Sequence, residues 1–145
     1  EEGKVLPRPI IEFYLKNDKL NDPIISEEHI IVFEWASHSE LEEIISMSQR
    51  INDFLTGYFY SQKIRLIDFK LEYGRLWIDQ EVSIMLADEI SPDTCRLWDV
   101  QTNKKLDKDR FRQDLGEVDI AYKEVAYRLG VLSEKEFKKV LKNDF

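Results

Sequence analysis

Asp68, Lys70 and Glu72 alternate along one short run, Asp68-Phe-Lys-Leu-Glu72-Tyr-Gly74. A second run ends in Asp88 and Glu89 and opens a dense polar turn, Ile90-Ser-Pro-Asp93-Thr-Cys-Arg96. Read as a strand, the first run points Ile67, Phe69 and Leu71 to one face and the three charged residues to the other. Acids at strand ends beside a lysine suit a divalent cation and a phosphate. Magnesium takes few carboxylates and completes its shell with water and phosphate oxygens, and a lysine holds phosphate as a point charge. The pattern nominates Glu72 and Asp88 as metal ligands and Lys70 as a phosphate anchor. The plain alternative is a solvated strand face in which Lys70 is a cross-strand partner of Asp88.

Other reactive side chains weigh less. Arg96 directly follows the polar turn and is the best candidate for gripping a phosphate or carboxylate by paired hydrogen bonds. Arg110 and Arg112 lie in Asp107-Lys-Asp-Arg-Phe-Arg-Gln-Asp114, which reads as a solvated helix. His29 and His38 have no metal-ligand spacing. Cys95 has no evident base partner and reads as a packed thiol. No Gly-rich phosphate loop occurs.

The elements that must position these residues follow from periodicity. Ile64 to Tyr73 and Val82 to Glu89 are expected to form a hairpin, with Gly74 to Gln80 as a connection longer than a tight turn. A turn centred near Asp79 sets Lys70 opposite Asp88 and Glu72 opposite Leu86, so that Asp68, Lys70, Glu72 and Asp88 share a face with Ile84 and Leu86. Such a face suits a nucleotide, its base on the apolar part and its phosphates and metal at the charged end. Upstream, Pro7 and Pro9 precede an alternating strand, Ile10 to Lys16, then a polar loop to Pro23. His29 to Trp35 fits a short strand or the approach to a helix. Ser39 with Glu42 is a capping-box pair for a long amphipathic helix ending near Gly57 to Ser61. Val118 to Leu129 has helical spacing with Gly130 as its stop, and Ser133 with Glu136 caps a last helix.

Bulk composition sets limits. The chain has 145 residues, 43% of them hydrophobic and 34% charged, which is ordinary for one soluble globular domain. The net charge of −8 argues against a nucleic-acid or membrane-surface binder. No run approaches the ~20 apolar residues of a membrane helix, and the single cysteine fits a reducing compartment. The opening Glu-Glu-Gly-Lys carries no initiator Met, which raises the expectation of a longer parent polypeptide.

Several segments together carry a resemblance: Leu15-Lys-Asn-Asp18, Asp22-Pro23, Asp68-Phe-Lys-Leu-Glu-Tyr-Gly74, Ala87-Asp-Glu-Ile-Ser-Pro-Asp93, Arg96-Leu-Trp-Asp99 and Asp107-Lys-Asp-Arg-Phe-Arg112. In this order and spacing the chain resembles the bacterial phosphoribosylaminoimidazole-succinocarboxamide synthases (SAICAR synthetases), and looks like their C-terminal portion. The resemblance implies an α+β fold, an antiparallel sheet with packed helices like the lobes of ATP-grasp and kinase folds. On this reading residues 1–104 carry the sheet, the long helix and the ligand cleft, and 105–145 the terminal helices.

The resemblance further implies ATP-dependent ligation of L-aspartate to the carboxylate of carboxyaminoimidazole ribonucleotide (CAIR), with ATP as co-substrate and Mg2+ as cofactor, in a cytoplasmic homo-oligomer with no nucleic-acid or membrane partner. By motif match Glu72 and Asp88 fall at the magnesium carboxylates, Lys70 at a nucleotide-phosphate position and Arg96 at a CAIR contact. Lys16, Asp22, Asp68, Asp93 and Arg112 fall along the same cleft. The family's Gly-containing strand region over the ATP phosphates is missing, as is an Arg- and Ser-bearing segment that helps bind CAIR. The chain alone is therefore expected to be inactive. A non-catalytic nucleotide- or metal-binding module and a kinase-like phosphotransferase are the competing readings.

Overall fold

The computed structural model describes residues 2–143. The chain forms two compact units, Glu1–Asn52 with Tyr73–Leu86, and Asp53–Glu72 with Ala87–Phe145. The expected seam after residue 104 does not coincide with any of the three points at which the chain passes between them. The reason lies in the hydrogen bonds of residues 105–107: Lys105 forms a bridge with Trp98, Leu106 N–H donates to Leu97 O at 2.8 Å, and Asp107 accepts the Leu97 amide. That segment is bound to the strand before it.

In the first unit, β1 (Phe13–Tyr14) pairs antiparallel with β2 (Ile24–Ile25), so the strand expected over Ile10 to Lys16 is shorter. The intervening 3-10 turn, Asp18–Leu20, is capped by Asn17, whose Oδ1 accepts from Lys19 N–H at 3.1 Å. Helix α1 (Glu27–Val32) resolves the open reading at His29 to Trp35. Ser26 caps it, and the His29 imidazole takes the part a Glu usually plays by accepting the Ser26 N–H. Helix α2 (His38–Ser61) begins earlier than the Ser39/Glu42 pair suggests. Its capping box is Ser37 with Glu40: Ser37 N–H donates to Glu40 at 2.8 Å and Glu40 N–H to Ser37 Oγ at 3.2 Å. The helix continues from Asp53 into the second unit's residues.

Strands β4 (Glu72–Ile78) and β5 (Glu81–Ala87) form a hairpin. This corrects the expected pairing of Ile64–Tyr73 with Val82–Glu89. Residues 74–78 are strand, and the turn is only Asp79-Gln80, both left-handed at φ 47° and 73°. Two consecutive positive-φ residues twist as the flanking strands do, which makes a two-residue loop possible. The expected centre near Asp79 matches; the long connection does not.

In the second unit, β3 (Ile64–Phe69) pairs antiparallel with β6 (Cys95–Asp99), not with β5. The register shifts between Leu66 and Asp68, after which Asp68 stands opposite Arg96 and Phe69 opposite Cys95. The described residues therefore hold three two-stranded sheets in place of one continuous sheet. Ile64, Cys95, Leu97, Leu106 and Ala121 are wholly buried, with Leu55, Phe59 and Val125 nearly so. Each such aliphatic contributes about 1.5–3 kcal/mol on leaving water. Helices α3 (Asp109–Arg112), α4 (Val118–Arg128) and α5 (Glu134–Asn143) follow. Gly130, at φ 77°, ends α4 where a left-handed residue is needed. Tyr127 and Phe137 stack at 4.9 Å to join α4 to α5, and Ser133 and Glu136 form the expected capping box.

Candidate functional site

Two cation–carboxylate clusters stand in the second unit. The first centres on Lys70. Strand β3 ends at Phe69, and Lys70 N–H donates to Thr94 O at 2.8 Å, holding the chain beside the polar turn. Glu72 is the first residue of β4, and Asp88 directly follows β5. Asp88 takes a left-handed backbone, φ 75°, and its Oδ1 accepts the Glu89 N–H at 2.9 Å. Both acids converge on one atom: Lys70 Nζ lies 2.6 Å from Glu72 Oε1 and 3.1 Å from Asp88 Oδ2. The bond to Glu72 and then that to Asp88 raise the Lys70 pKa above the ordinary lysine value.

This geometry fits a divalent cation. Two carboxylates already converge on a positive charge, the ammonium standing where a metal could be shared. Among the described residues no cluster of three or more His, Cys, Asp or Glu is arranged to hold a metal. Glu72 and Asp88 thus suit an ion that draws its remaining ligands from water and substrate phosphate, as magnesium does, and do not suit a closed protein cage.

The second cluster centres on Arg96 of β6. Its NH1 donates to Asp68 Oδ2 at 2.7 Å across the β3–β6 pair, and its Nε to Asp109 Oδ2 at 2.8 Å. Asp109, then Asp68, push the guanidinium pKa further up, so Arg96 is permanently charged. Beside it, Asp93 sits in a turn closed by Thr94, whose amide donates to Ser91 O at 3.1 Å and whose hydroxyl donates to Glu89 O at 2.9 Å. Tyr122 of α4 donates its hydroxyl to Asp93 Oδ1 at 2.6 Å, and Lys108 Nζ donates to Asp93 O at 2.6 Å. Burial, then the Asp93 carboxylate, hold the Tyr122 phenol protonated well above its ordinary range.

The structure thus brings Lys70, Glu72 and Asp88 together, joins Asp68 to Arg96, and sets Asp93 on the turn between Asp88 and Arg96. Arg112 is exposed on α3. Lys16 and Asp22 belong to the first unit, where Asp22 Oδ1 accepts the Asn17 N–H at 2.7 Å and shapes the loop. Arg110 is not on a solvated face. It is 7% exposed, and it donates to the carbonyls of Lys105, Leu115 and Gly116, locking the loop after α3. Cys95 is fully buried, and burial pushes its thiol pKa up, as befits a packing residue. Sequence reasoning missed Asp107, Asp109 and Tyr122. The available signal was Asp107-Lys-Asp109 ahead of a helix, where acids commonly accept backbone N–H groups.

Taken together, these features define an α+β protein whose strand ends carry two clusters in which a cation stands between two carboxylates. A profile of the SAICAR synthetase family matches residues 1–129. The phosphoribosylaminoimidazole-succinocarboxamide synthase of Acidiphilium cryptum is 62% identical over 133 residues, covering 92% of this chain and 52% of that protein. Among solved structures, the phosphoribosylaminoimidazole-succinocarboxamide synthase of Ehrlichia chaffeensis superposes with a TM-score of 0.85 at 53% identity, covering 89% of this chain and 54% of that one. A SAICAR synthetase in complex with ADP gives the same TM-score at 45% identity, covering 92% and 55%. The chain belongs to the SAICAR synthetase family and has its α+β fold. It spans about half the length of the curated relatives it matches.

Proposed function

We propose that this chain carries the nucleotide-phosphate and substrate-facing part of an ATP-dependent carbon–nitrogen ligase of purine biosynthesis. The enzyme joins L-aspartate to the carboxylate of CAIR, giving SAICAR, ADP and phosphate. The observation that carries the reading is Lys70 Nζ held between Glu72 and Asp88, in a family member whose relative is described with ADP.

A carboxylate is a poor electrophile, so the CAIR carboxylate first takes the γ-phosphoryl group of ATP and releases ADP. The aspartate amine then attacks the acyl phosphate carbon, forms the amide bond, loses a proton and expels phosphate. In this scheme Lys70 anchors a nucleotide phosphate. Glu72 and Asp88 would hold Mg2+, which when bound offsets charge on the transferring phosphoryl group. Arg96, oriented by Asp68 and Asp109, grips an anionic group of CAIR. Asp93 and Arg112 contribute to substrate binding. Holding three reactants in register removes much of the entropic barrier. No enzyme nucleophile is needed, which agrees with the buried Cys95. The working enzyme is a cytoplasmic homo-oligomer, and the remainder of the relatives' length supplies the cover over the ATP phosphates.

The test is turnover by the native polypeptide with ATP, Mg2+, L-aspartate and CAIR, following SAICAR and ADP by chromatography. Equimolar SAICAR and ADP are expected, and the 145-residue chain alone is expected to give neither. ATP consumption that leaves a stable phosphorylated product without using aspartate would replace the ligase by a phosphotransferase. Nucleotide binding with no turnover would leave only a binding module.

A further inference from the structure

Asp107 has no part in the scheme above, yet its side chain is the most deeply buried acid described, with no solvent exposure. Its two oxygens do different things. Oδ2 accepts the amide N–H of Leu97 at 2.7 Å, and Oδ1 accepts that of Asp109 at 2.8 Å. Leu97 directly follows Arg96 in β6. Asp109 opens α3 and accepts the Arg96 Nε–H at 2.8 Å. One carboxylate therefore pins the backbone on both sides of the Arg96–Asp109 ion pair. The Leu106 amide, donating to Leu97 O at 2.8 Å, closes the same junction from its other side. Only a group with two acceptor atoms and no donor satisfies both amides at once. An Asn in this place would turn an NH2 toward one of them.

We propose that Asp107 is a positioning residue: by holding the amides of Leu97 and Asp109 it fixes the Arg96 guanidinium in the orientation that receives an anionic group of the substrate. Arg96 is committed to Asp68 through NH1 and to Asp109 through Nε. Its plane is thereby set, and the direction in which it meets a ligand is set by the backbone that Asp107 anchors. The assignment of Arg96 to substrate rests on the ligase reading; the mechanical link from Asp107 to Arg96 does not.

The decisive experiment uses the native polypeptide and reads both levels. In arginine-edited NMR of the unaltered protein, the Arg96 Nε–H and the amides of Leu97 and Asp109 are expected to exchange with solvent through one shared opening, at rates within threefold of each other. In Asp107→Asn, exchange at Arg96 Nε–H is expected to accelerate at least tenfold. Arg110 Nε–H, bonded to Gly116 O, serves as the internal control and keeps its rate. In turnover, KM for CAIR is expected to rise at least tenfold while KM for ATP stays within twofold. A protected Arg96 Nε–H in Asp107→Asn overturns the proposal. So does an Arg96 Nε–H that exchanges tenfold faster than the two amides in the unaltered protein, a result that stands even if the variant does not fold. If no ligation is found at all, the exchange data still decide the mechanical link, and only the ligase reading falls.

Discussion

Lys70 and Arg96 each stand between two carboxylates, but the two arrangements differ in what surrounds the acids. The Lys70 side chain is 56% exposed, and its partners Glu72 and Asp88 are 30% and 28% exposed. Water competes for every atom in that cluster, and exposed pairs of this kind contribute about 0–1 kcal/mol. Arg96 meets one exposed acid, Asp68 at 56%, and one acid, Asp109, whose side chain is only 8% exposed and whose own amide is held by the fully buried Asp107. The first cluster can release its ammonium from the two carboxylates at little cost, which is what the proposed roles of Glu72 and Asp88 toward a metal ion and of Lys70 toward a phosphate require. The second cannot rearrange without unmaking buried hydrogen bonds. A ligand that meets both would find an adaptable charged end and a preorganised one, and preorganisation is what lowers the entropic cost of binding.

The largest effect that separates them is on turnover. Glu72→Gln and Asp88→Asn in the native polypeptide are expected to lower kcat on the order of 10²–10³-fold, the usual cost of removing one group that stabilises developing charge. The Mg2+ concentration for half-maximal rate is expected to rise roughly tenfold, because a two-carboxylate site keeps only one anionic ligand. Their urea midpoints are expected to stay near that of the unaltered protein. Full activity in either variant breaks the assignment of the exposed cluster to metal and phosphate.

Stability reverses the order. Arg96→Lys leaves Asp109, nearly buried, without the Nε–H it accepts. That substitution is expected to destabilise the fold by about 1–3 kcal/mol in urea unfolding. Lys70→Met, at the exposed cluster, is expected to change stability by no more than about 0.5 kcal/mol. Equal losses would mean that the contrast in burial does not govern the contrast in rigidity.

How much of this was legible in the sequence follows the same division. The alternation at Asp68, Lys70 and Glu72 and the return of Asp88 were readable because strand periodicity and residue type are local properties. The meeting of Lys70 with Asp88 came out even though the strand pairing assumed for it did not. The assumed hairpin required Gly74–Gln80 to be a loop. Instead Asp79 and Gln80, neither of them a glycine, take positive φ and make a tight turn, which lets β4 begin at Glu72. The displaced β3 pairs with β6, a long-range choice that periodicity cannot make. Asp107 and Arg110 were misread as solvated because a charged octet looks the same whether its charges face water or backbone amides and carbonyls. Their burial is set by partners in β6 and in the loop after α3. The capping box at Ser37/Glu40 was missed because Ser39/Glu42 has the same spacing two residues on. In the family resemblance, motif order carried information that no single element did.

A third pair sharpens the comparison by its pH dependence. Asp99, at the end of β6, is buried, which alone would push its carboxyl up. Hydrogen bonds to its Oδ1 from the Thr102 hydroxyl and from the amides of Thr102 and Gln101, with Arg128 NH2 at 2.8 Å from Oδ2, outweigh that and hold the pKa at about 2. A carboxyl whose folded pKa lies below its unfolded value stabilises the fold above the unfolded pKa, near 4. That contribution disappears as pH falls through the folded value. The Asp99 network is therefore expected to contribute about 1 kcal/mol at pH 7 after allowance for solvent screening, declining between about pH 4 and pH 2. Asp99→Asn should lose that amount in urea unfolding at pH 7 and converge on the unaltered protein as pH approaches 2. A gap at Asp99 that persists unchanged to pH 2 would mean that packing, and not its ionised carboxylate, makes this end of β6 rigid.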